Sequence, residues 1–317
     1  MSEFDLIQRF FSAAGHPRDD VVVGIGDDCA LLQVPADEQL VVTTDTLVEG
    51  IHFLPGCDPG SVGHKALAVN LSDLAAMAAR PAWVTLALTL PAADESWLTA
   101  FSAGFSSLAR CHDVALVGGD TTRGPLSVTV QALGLVPSGG ALRRNGARPG
   151  DLIAVTGTLG DAGLALRRRS EGVAAGEPGH RLDRPQPRVA AGLALRGLAS
   201  AAIDISDGLL ADLGHICSAS AVAAVIELES LPLSPAVREA VKGGDDWTLP
   251  LSSGDDYELC VTLPPENWDQ AQARVAQTGV RLVQIGRIGE GSGIRCRAGD
   301  GRVTAVTANG YQHFRRS

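Results

Sequence analysis

The stretch Ala202-Ile203-Asp204-Ile205-Ser206-Asp207-Gly208-Leu209-Leu210 passes from a strand pattern into a helical one. Strand alternation over 202–205 puts Asp204 and Ser206 on one face and Ile203 and Ile205 on the other. A helix over 208–219 follows. Asp207 reads equally as the cap of that helix and as a cation ligand. Asp204 is harder to read as decoration, because a carboxylate inside an apolar strand is costly unless paired or metal-bound.

Outward from this stretch the same succession recurs. Toward the N-terminus, helices are expected over 3–14, 61–79 and 94–111, the second stopped by Pro81. Strands are expected over 21–25, 30–34, 40–44, 83–90, 114–117 and 126–136. The punctuated run Pro137-Ser138-Gly139-Gly140 marks a boundary, so domains are placed at 1–138 and 139–317. The second half adds strands over 151–156, 259–263 and 280–285, a helix from Asp161 and a C-terminal hairpin. The polar segment 167–188 reads as a mobile loop or an edge helix. Strands alternating with helices in both halves predict a two-domain α/β (α+β) protein.

Composition narrows the class. The chain has 317 residues, 45% hydrophobic and 20% charged, a globular balance. No apolar run reaches membrane length, and the acidic N-terminus lacks the basic region of a secretory signal. A cytoplasmic location without membrane contact is the expectation. The formal net charge of −10 argues against nucleic acid as a partner. Six scattered cysteines without a Cys-x-x-Cys pair give a zinc site or redox dithiol no support; they read as reduced, mostly buried thiols.

Aspartates stand where apolar runs end: Gly24-Ile25-Gly26-Asp27-Asp28, Thr43-Thr44-Asp45, Asn70-Leu71-Ser72-Asp73, Gly118-Gly119-Asp120 and the Asp204/Asp207 pair. Hard carboxylate oxygens suit Mg²⁺, which binds a few carboxylates together with substrate phosphates. Taken alone, Asp45 is a turn residue, Asp73 is as much an exposed helix position as a ligand, Gly118-Gly119 is a turn, Arg143-Arg144 is a solvated pair, and His52 is a partly buried histidine. Jointly they point to metal-dependent phosphate chemistry. Neither lysine, Lys65 or Lys242, follows a glycine, which excludes a P-loop. The protein-kinase lysine and His-Arg-Asp loop do not occur. The dinucleotide fingerprint breaks at Cys29, and Gly-x-Ser-x-Gly is likewise absent from the sequence.

Seven motifs then resemble one family in order along nearly the whole chain. They are Gly-Ile-Gly-Asp-Asp-Cys-Ala (24–30), Thr-Thr-Asp-Thr-Leu-Val-Glu-Gly-Ile-His-Phe (43–53), Lys-Ala-Leu-Ala-Val-Asn-Leu-Ser-Asp-Leu-Ala-Ala-Met (65–77), Gly-Gly-Asp-Thr-Thr-Arg-Gly (118–124), Ile-Asp-Ile-Ser-Asp-Gly-Leu (203–209), Gly-Asp-Asp-Tyr-Glu-Leu (254–259) and Gly-Tyr-Gln-His-Phe (310–314). The family is thiamine-monophosphate kinase, in the superfamily of aminoimidazole ribonucleotide synthetase. The resemblance implies ATP-dependent conversion of thiamine monophosphate to thiamine diphosphate, a homodimer built through the N-terminal halves, and ATP bound with several Mg²⁺ ions. It implies Asp28, Thr43, Thr44, Asp45, Asp73, Asp120, Asp204 and Asp207 as the magnesium set. It implies Gly119, Asp120, Arg144 and Ser206 as nucleotide contacts, and His52, Asp255 and Tyr311 as contacts of the thiamine phosphate. The chain departs from the family at Ser253-Gly254-Asp255-Asp256-Tyr257, where Gly-Gly-Glu-Asp-Tyr is common; Asp255 keeps the charge on a shorter arm. No general base is expected, because the acceptor phosphate is already an anion.

Overall fold

The computed structural model describes residues 3–12, 14–244 and 247–306. Tyr311 and the 310–314 motif lie outside the described residues. The chain divides into two compact units, residues 1–74 with 79–139, and 75–78 with 140–317. Among the described residues no helix is long and apolar enough to cross a membrane.

The first unit contains α1 (Glu3–Phe10), β1 (Val21–Val23), β2 (Leu31–Leu32), β3 (Glu38–Val48), α2 (Pro59–Ala76), β4 (Arg80–Leu90), α3 (Glu95–Cys111), β5 (Ala115–Arg123) and β6 (Ser127–Pro137). Four strands form one sheet in the order β3-β6-β4-β5, with β4 and β5 parallel and the rest antiparallel. The alternation of Val84, Leu86, Leu88 and Leu90 with Thr85, Ala87 and Thr89 gives the sheet a buried face and a more open one. Leu67, Leu71 and Leu74 of α2 and Leu98, Phe101 and Phe105 of α3 are fully buried. Asp94 caps α3, accepting from the Ser96 and Trp97 N–H groups. On the other face the β1–β2 hairpin packs Val21 and Leu32 against Trp83, Val117 and Leu135, and the Trp83 indole donates to Asp20 at 2.9 Å.

Three local expectations for this unit change. The strand carrying Asp45 continues three residues beyond it, so Asp45 is a mid-strand residue rather than a turn entry. Gly118-Gly119-Asp120 is extended strand, not a turn. Pro81 does not stop α2, which ends at Ala76; Ala78 turns the chain at φ 52°, and Pro81 is the second residue of β4.

The second unit contains β7 (Leu152–Thr156), α4 (Asp161–Ser170), α5 (Pro178–Asp183), α6 (Val189–Leu195), β8 (Ala201–Asp204), α7 (Leu209–Ser220), β9 (Ala223–Glu227), α8 (Pro235–Gly244), α9 (Thr248–Ser252), β10 (Leu259–Leu263), α10 (Trp268–Ala276), β11 (Leu282–Gly289), β12 (Gly293–Arg297) and β13 (Val303–Val306). Its seven strands run in the order β13-β12-β9-β11-β7-β10-β8. The pairs are antiparallel except β9–β12. Ile153, Val155, Ile203 and Ile205 pack against Leu209, Leu213 and Ile216 of α7 in one core. That core is why the strand-to-helix pattern of 202–219 is so legible. The segment 167–188 carries the end of α4 and the helix α5: the Arg169 guanidinium pairs with Asp183, and Leu182 packs on Ala162 and Ala165. Three of the six cysteines are buried, Cys217, Cys260 and Cys296; Cys29 and Cys111 are exposed.

Candidate active site

In the first unit, Thr43 and Asp45 project from β3 toward α2. Asn70 and Asp73 are three residues apart on α2 and share a helix face. The Asn70 Oδ1 accepts the Asp45 N–H at 3.1 Å, and its Nδ2 donates to the Ala66 carbonyl at 3.1 Å. The Thr43 hydroxyl donates to Asp73 Oδ2 at 2.5 Å. Burial, and secondarily the Asp73 charge, push the Asp45 carboxyl up to about 6. A carboxyl whose proton affinity is raised beside a second carboxylate, next to a hydroxyl, forms a donor set that suits a hard divalent cation. His52 lies beyond the end of β3. Its Nδ1 accepts the Val48 N–H at 3.0 Å, so the proton of the neutral ring is assigned to Nε2. The Lys65 ammonium reaches the His52 carbonyl at 3.4 Å.

Asp120 stands elsewhere on the same sheet. Asp45, Val130, Leu86 and Gly119 form one row across the four strands, and Thr46, Thr129, Ala87 and Asp120 form the next. Adjacent rows point to opposite faces, and three strand spacings separate β3 from β5, about 14 Å. Within one chain, Asp120 therefore cannot share an ion with Asp45. Thr44 faces the same side as Asp120. Gly118, Gly119 and Asp120 instead line a cavity of about 950 Å³ together with Asp28, Thr85 and Gln131. Gly119 has φ 155°, and a Cβ there would lie 1.9 Å from the Leu86 carbonyl oxygen, so the approach of β5 to β4 requires glycine.

In the second unit, Asp204 ends β8 with 4% exposure and is paired with Leu259 of β10. The turn that follows is held by a residue that sequence reasoning passes over. Asp212 Oδ2 accepts the N–H groups of Ser206, Asp207 and Gly208, each at 3.1 Å. Burial and the nearby Asp207 charge raise its carboxyl to about 7. Gly208, not Asp207, is the α7 cap, and it makes no side-chain capping bond. The capping interpretation of Asp207 is thus replaced by a carboxylate reaching back from inside the helix. Arg144 is exposed in a short 3-10 turn, Arg144–Gly146. The preceding Arg143 carbonyl accepts the Ala202 N–H at 3.1 Å, which docks this turn beside β8.

Asp255 belongs to the same group. Its N–H donates to the Ser206 carbonyl at 2.8 Å, and the Tyr257 N–H to that of Ile205 at 2.8 Å. The Tyr257 hydroxyl donates to Asp255 Oδ1 at 3.0 Å, steadying the shorter side chain. The neighbouring Asp256 is buried and accepts the Gly160 N–H; burial drives its carboxyl well above the usual range. The structure thus yields separate groups: Thr43, Asp45 and Asp73; Asp28, Gly119 and Asp120; and Asp204, Ser206, Asp207 and Asp255. Among the described residues no cluster of three or more Asp, Glu, His or Cys is poised to hold an ion. The donor sets combine carboxylates with hydroxyls, and nucleotide phosphates commonly complete such shells.

Residues 26–136 match the family model of the AIR synthase related protein N-terminal domain, and 148–299 that of the C-terminal domain. The chain is 49% identical over 318 residues to the thiamine-monophosphate kinase of Salmonella typhimurium, covering 98% of each chain. It is 34% identical to that of Bacillus subtilis, covering 99% and 100%. Among solved structures it is similar to a thiamine-monophosphate kinase from Stenotrophomonas maltophilia K279a, with TM-score 0.85, 52% identity, and coverage of 90% of this chain and 92% of that one. It is also similar to AaThiL complexed with AMPPCP and TMP, with TM-score 0.79, 32% identity and 92% coverage of both.

Proposed function

Because the chain belongs to the thiamine-monophosphate kinases of the AIR synthase related family, we propose that it transfers the γ-phosphoryl group of ATP directly to the phosphate of thiamine monophosphate. The products are ADP and thiamine diphosphate. The observation that carries the mechanism is the Asp45–Asp73 pair with its Thr43 hydroxyl: hard oxygen donors gathered for a cation. A phosphate monoester has its second pKa near about 6, so the acceptor is largely a dianion at neutral pH. Such a nucleophile needs positioning and charge neutralisation rather than deprotonation.

Magnesium fits the donor sets on the chemistry of their side chains. In the first unit Thr43, Asp45 and Asp73 would hold one ion, and Asp28 and Asp120, with Thr44 on their face of the sheet, would serve another; Asp204 and Asp207 would do so in the second. When bound, it neutralises charge on the transferring phosphates. Gly119 would let the nucleotide approach the β5 backbone, Ser206 and Arg144 would contact it in the second unit, and Arg144 would supply positive charge. His52, Asp255 and Tyr311 would take the thiamine phosphate, with Asp255 opposite the thiazolium cation. AaThiL, whose structure holds AMPPCP and TMP, supports this pairing of ligands by its likeness. Homodimerisation through the first unit is supported by the edge strand β3, where Leu40 and Val42 are 43% and 50% exposed. The enzyme would act in the cytoplasm.

The test is incubation with MgATP and thiamine monophosphate, with product identification by mass. Thiamine diphosphate and ADP in equal amounts, abolished by EDTA, are expected. ADP formed with thiamine monophosphate unchanged would sink the assignment.

A further inference from the structure

Glu258 is fully buried, yet four donors converge on its carboxylate. Thr156 Oγ1 donates to Oε2 at 2.6 Å. Arg188 makes a two-pronged contact, Nε to Oε2 at 2.6 Å and Nη2 to Oε1 at 2.5 Å. Arg181 donates from Nη2 to Oε1 and also reaches the Asp256 carbonyl at 3.5 Å. The two arginine side chains are themselves only 22% and 12% exposed. Backbone space is reserved for the carboxylate: a Cβ on Gly157 would lie 2.1 Å from Glu258 Oε1.

Stability does not account for such a triad. Desolvating three charges is expensive, and apolar replacements of buried ion pairs are often neutral or stabilising. What the triad adjoins is more telling. Glu258 follows a turn in which two non-glycine residues, Asp255 and Tyr257, are left-handed at φ 61° and 48°. Such backbone persists only where its surroundings over-determine it. Here the Asp255 and Tyr257 N–H groups bond the Ser206 and Ile205 carbonyls on one side. On the other, Arg181 bridges Asp256 and Glu258 from α5, and Arg188 grips Glu258 from the start of α6. The segment 178–188 is thereby pinned to the turn that presents Asp255.

We propose that Arg181 and Arg188, acting through Glu258, are positioning residues that fix the left-handed 254–257 turn and so aim the Asp255 carboxylate at the cationic part of the acceptor. This rests on the assignment of Asp255 to thiamine monophosphate. Both guanidinium groups are engaged by Glu258, and that of Arg181 also by the Asp256 carbonyl, so their removal would act on acceptor affinity through geometry.

Steady-state kinetics of the full chain with MgATP and thiamine monophosphate test it, comparing Arg181→Lys, Arg181→Gln, Arg188→Lys and Asp255→Asn. Each lysine variant is expected to raise KM for thiamine monophosphate about tenfold while KM for ATP stays within twofold. Arg181→Gln should be worse than Arg181→Lys. A lower kcat with both KM values unmoved, or equal rises in both, is what a purely structural triad gives and overturns the proposal. So does failure of both lysine variants to fold, judged by circular dichroism and melting, since the triad would then be a stability element. Asp255→Asn separates the two claims. A raised acceptor KM there, with unmoved arginine variants, removes only the positioning role. An unmoved KM in Asp255→Asn removes Asp255 from the acceptor site and the proposal with it.

Discussion

Replacing Asp45 by Asn should stabilise the magnesium-free protein while destroying its activity. The Asp45 carboxyl rises from 3.8 to about 6, first through burial and then through Asp73. A group held above its unfolded value contributes stability that is fully present below the unfolded pKa and lost as pH rises through the folded one. For Asp45 the loss runs from about pH 4 to about pH 6. At 1.36 kcal/mol per pH unit the gap corresponds to about 3 kcal/mol at neutral pH. Asn still buries an amide and solvent screens part of the repulsion, so about 1–2 kcal/mol should be recovered. That is a rise in Tm of roughly 3–8 °C for a unit of this size. The assay is thermal unfolding of both proteins in EDTA at pH 7.5 and pH 4, then at pH 7.5 with MgATP. Asn should melt higher at pH 7.5 and equally at pH 4. MgATP should lift the wild type by about 2.7 kcal/mol at a hundredfold excess over its Kd and leave the variant behind. A less stable Asn variant at pH 7.5 in EDTA would refute the repulsion that makes this pair a cation site.

Further outcomes follow from the same geometry. Gly119→Ala places a Cβ 1.9 Å from the Leu86 carbonyl; it should weaken MgATP binding more than tenfold, read by titration calorimetry. Asp212→Ala strands three N–H groups and should cost about 2 kcal/mol, whereas Asp212→Asn, which keeps an acceptor, should cost less in denaturant unfolding. Because Asp212 is raised to about 7, wild-type stability without metal should keep falling between pH 4 and 7, and Asp212→Asn should flatten that slope. Gly157→Ala meets the buried Glu258 carboxylate at 2.1 Å and should lower stability by about 2 kcal/mol or more.

The strand-to-helix passage at 202–219 is legible because Ile203, Ile205, Leu209, Leu213 and Ile216 feed one core, and periodicity reports burial. The same logic hides the true length of β3 and β5. Asp45, Gly119 and Asp120 interrupt apolar runs, so they read as strand ends, although neighbouring strands continue the hydrogen-bond ladder past them. Asp212 and Glu258 escape a sequence reading for a related reason. Asp212 is a lone carboxylate among apolar residues and Glu258 is one of three acidic residues in the 254–259 motif; their partners, the 206–208 backbone and Arg181 with Arg188, are specified only by tertiary structure. An aspartate inside Leu209-Leu210-Ala211-Asp212-Leu213 is nonetheless a signal, because no helix buries one without donors. The segment 167–188 reads as a mobile loop or an edge helix because its arginines are polar in composition; the structure has the end of α4 and the helix α5 there and turns Arg169, Arg181 and Arg188 onto Asp183 and Glu258.

The proposed reaction is direct transfer from ATP to the phosphate of thiamine monophosphate, with no base and no covalent enzyme intermediate. Turnover with ATP chiral at the γ-phosphorus tests it most directly. Direct transfer gives thiamine diphosphate whose terminal phosphoryl group shows inverted configuration. Retention, or a label recovered only in inorganic phosphate, would contradict it.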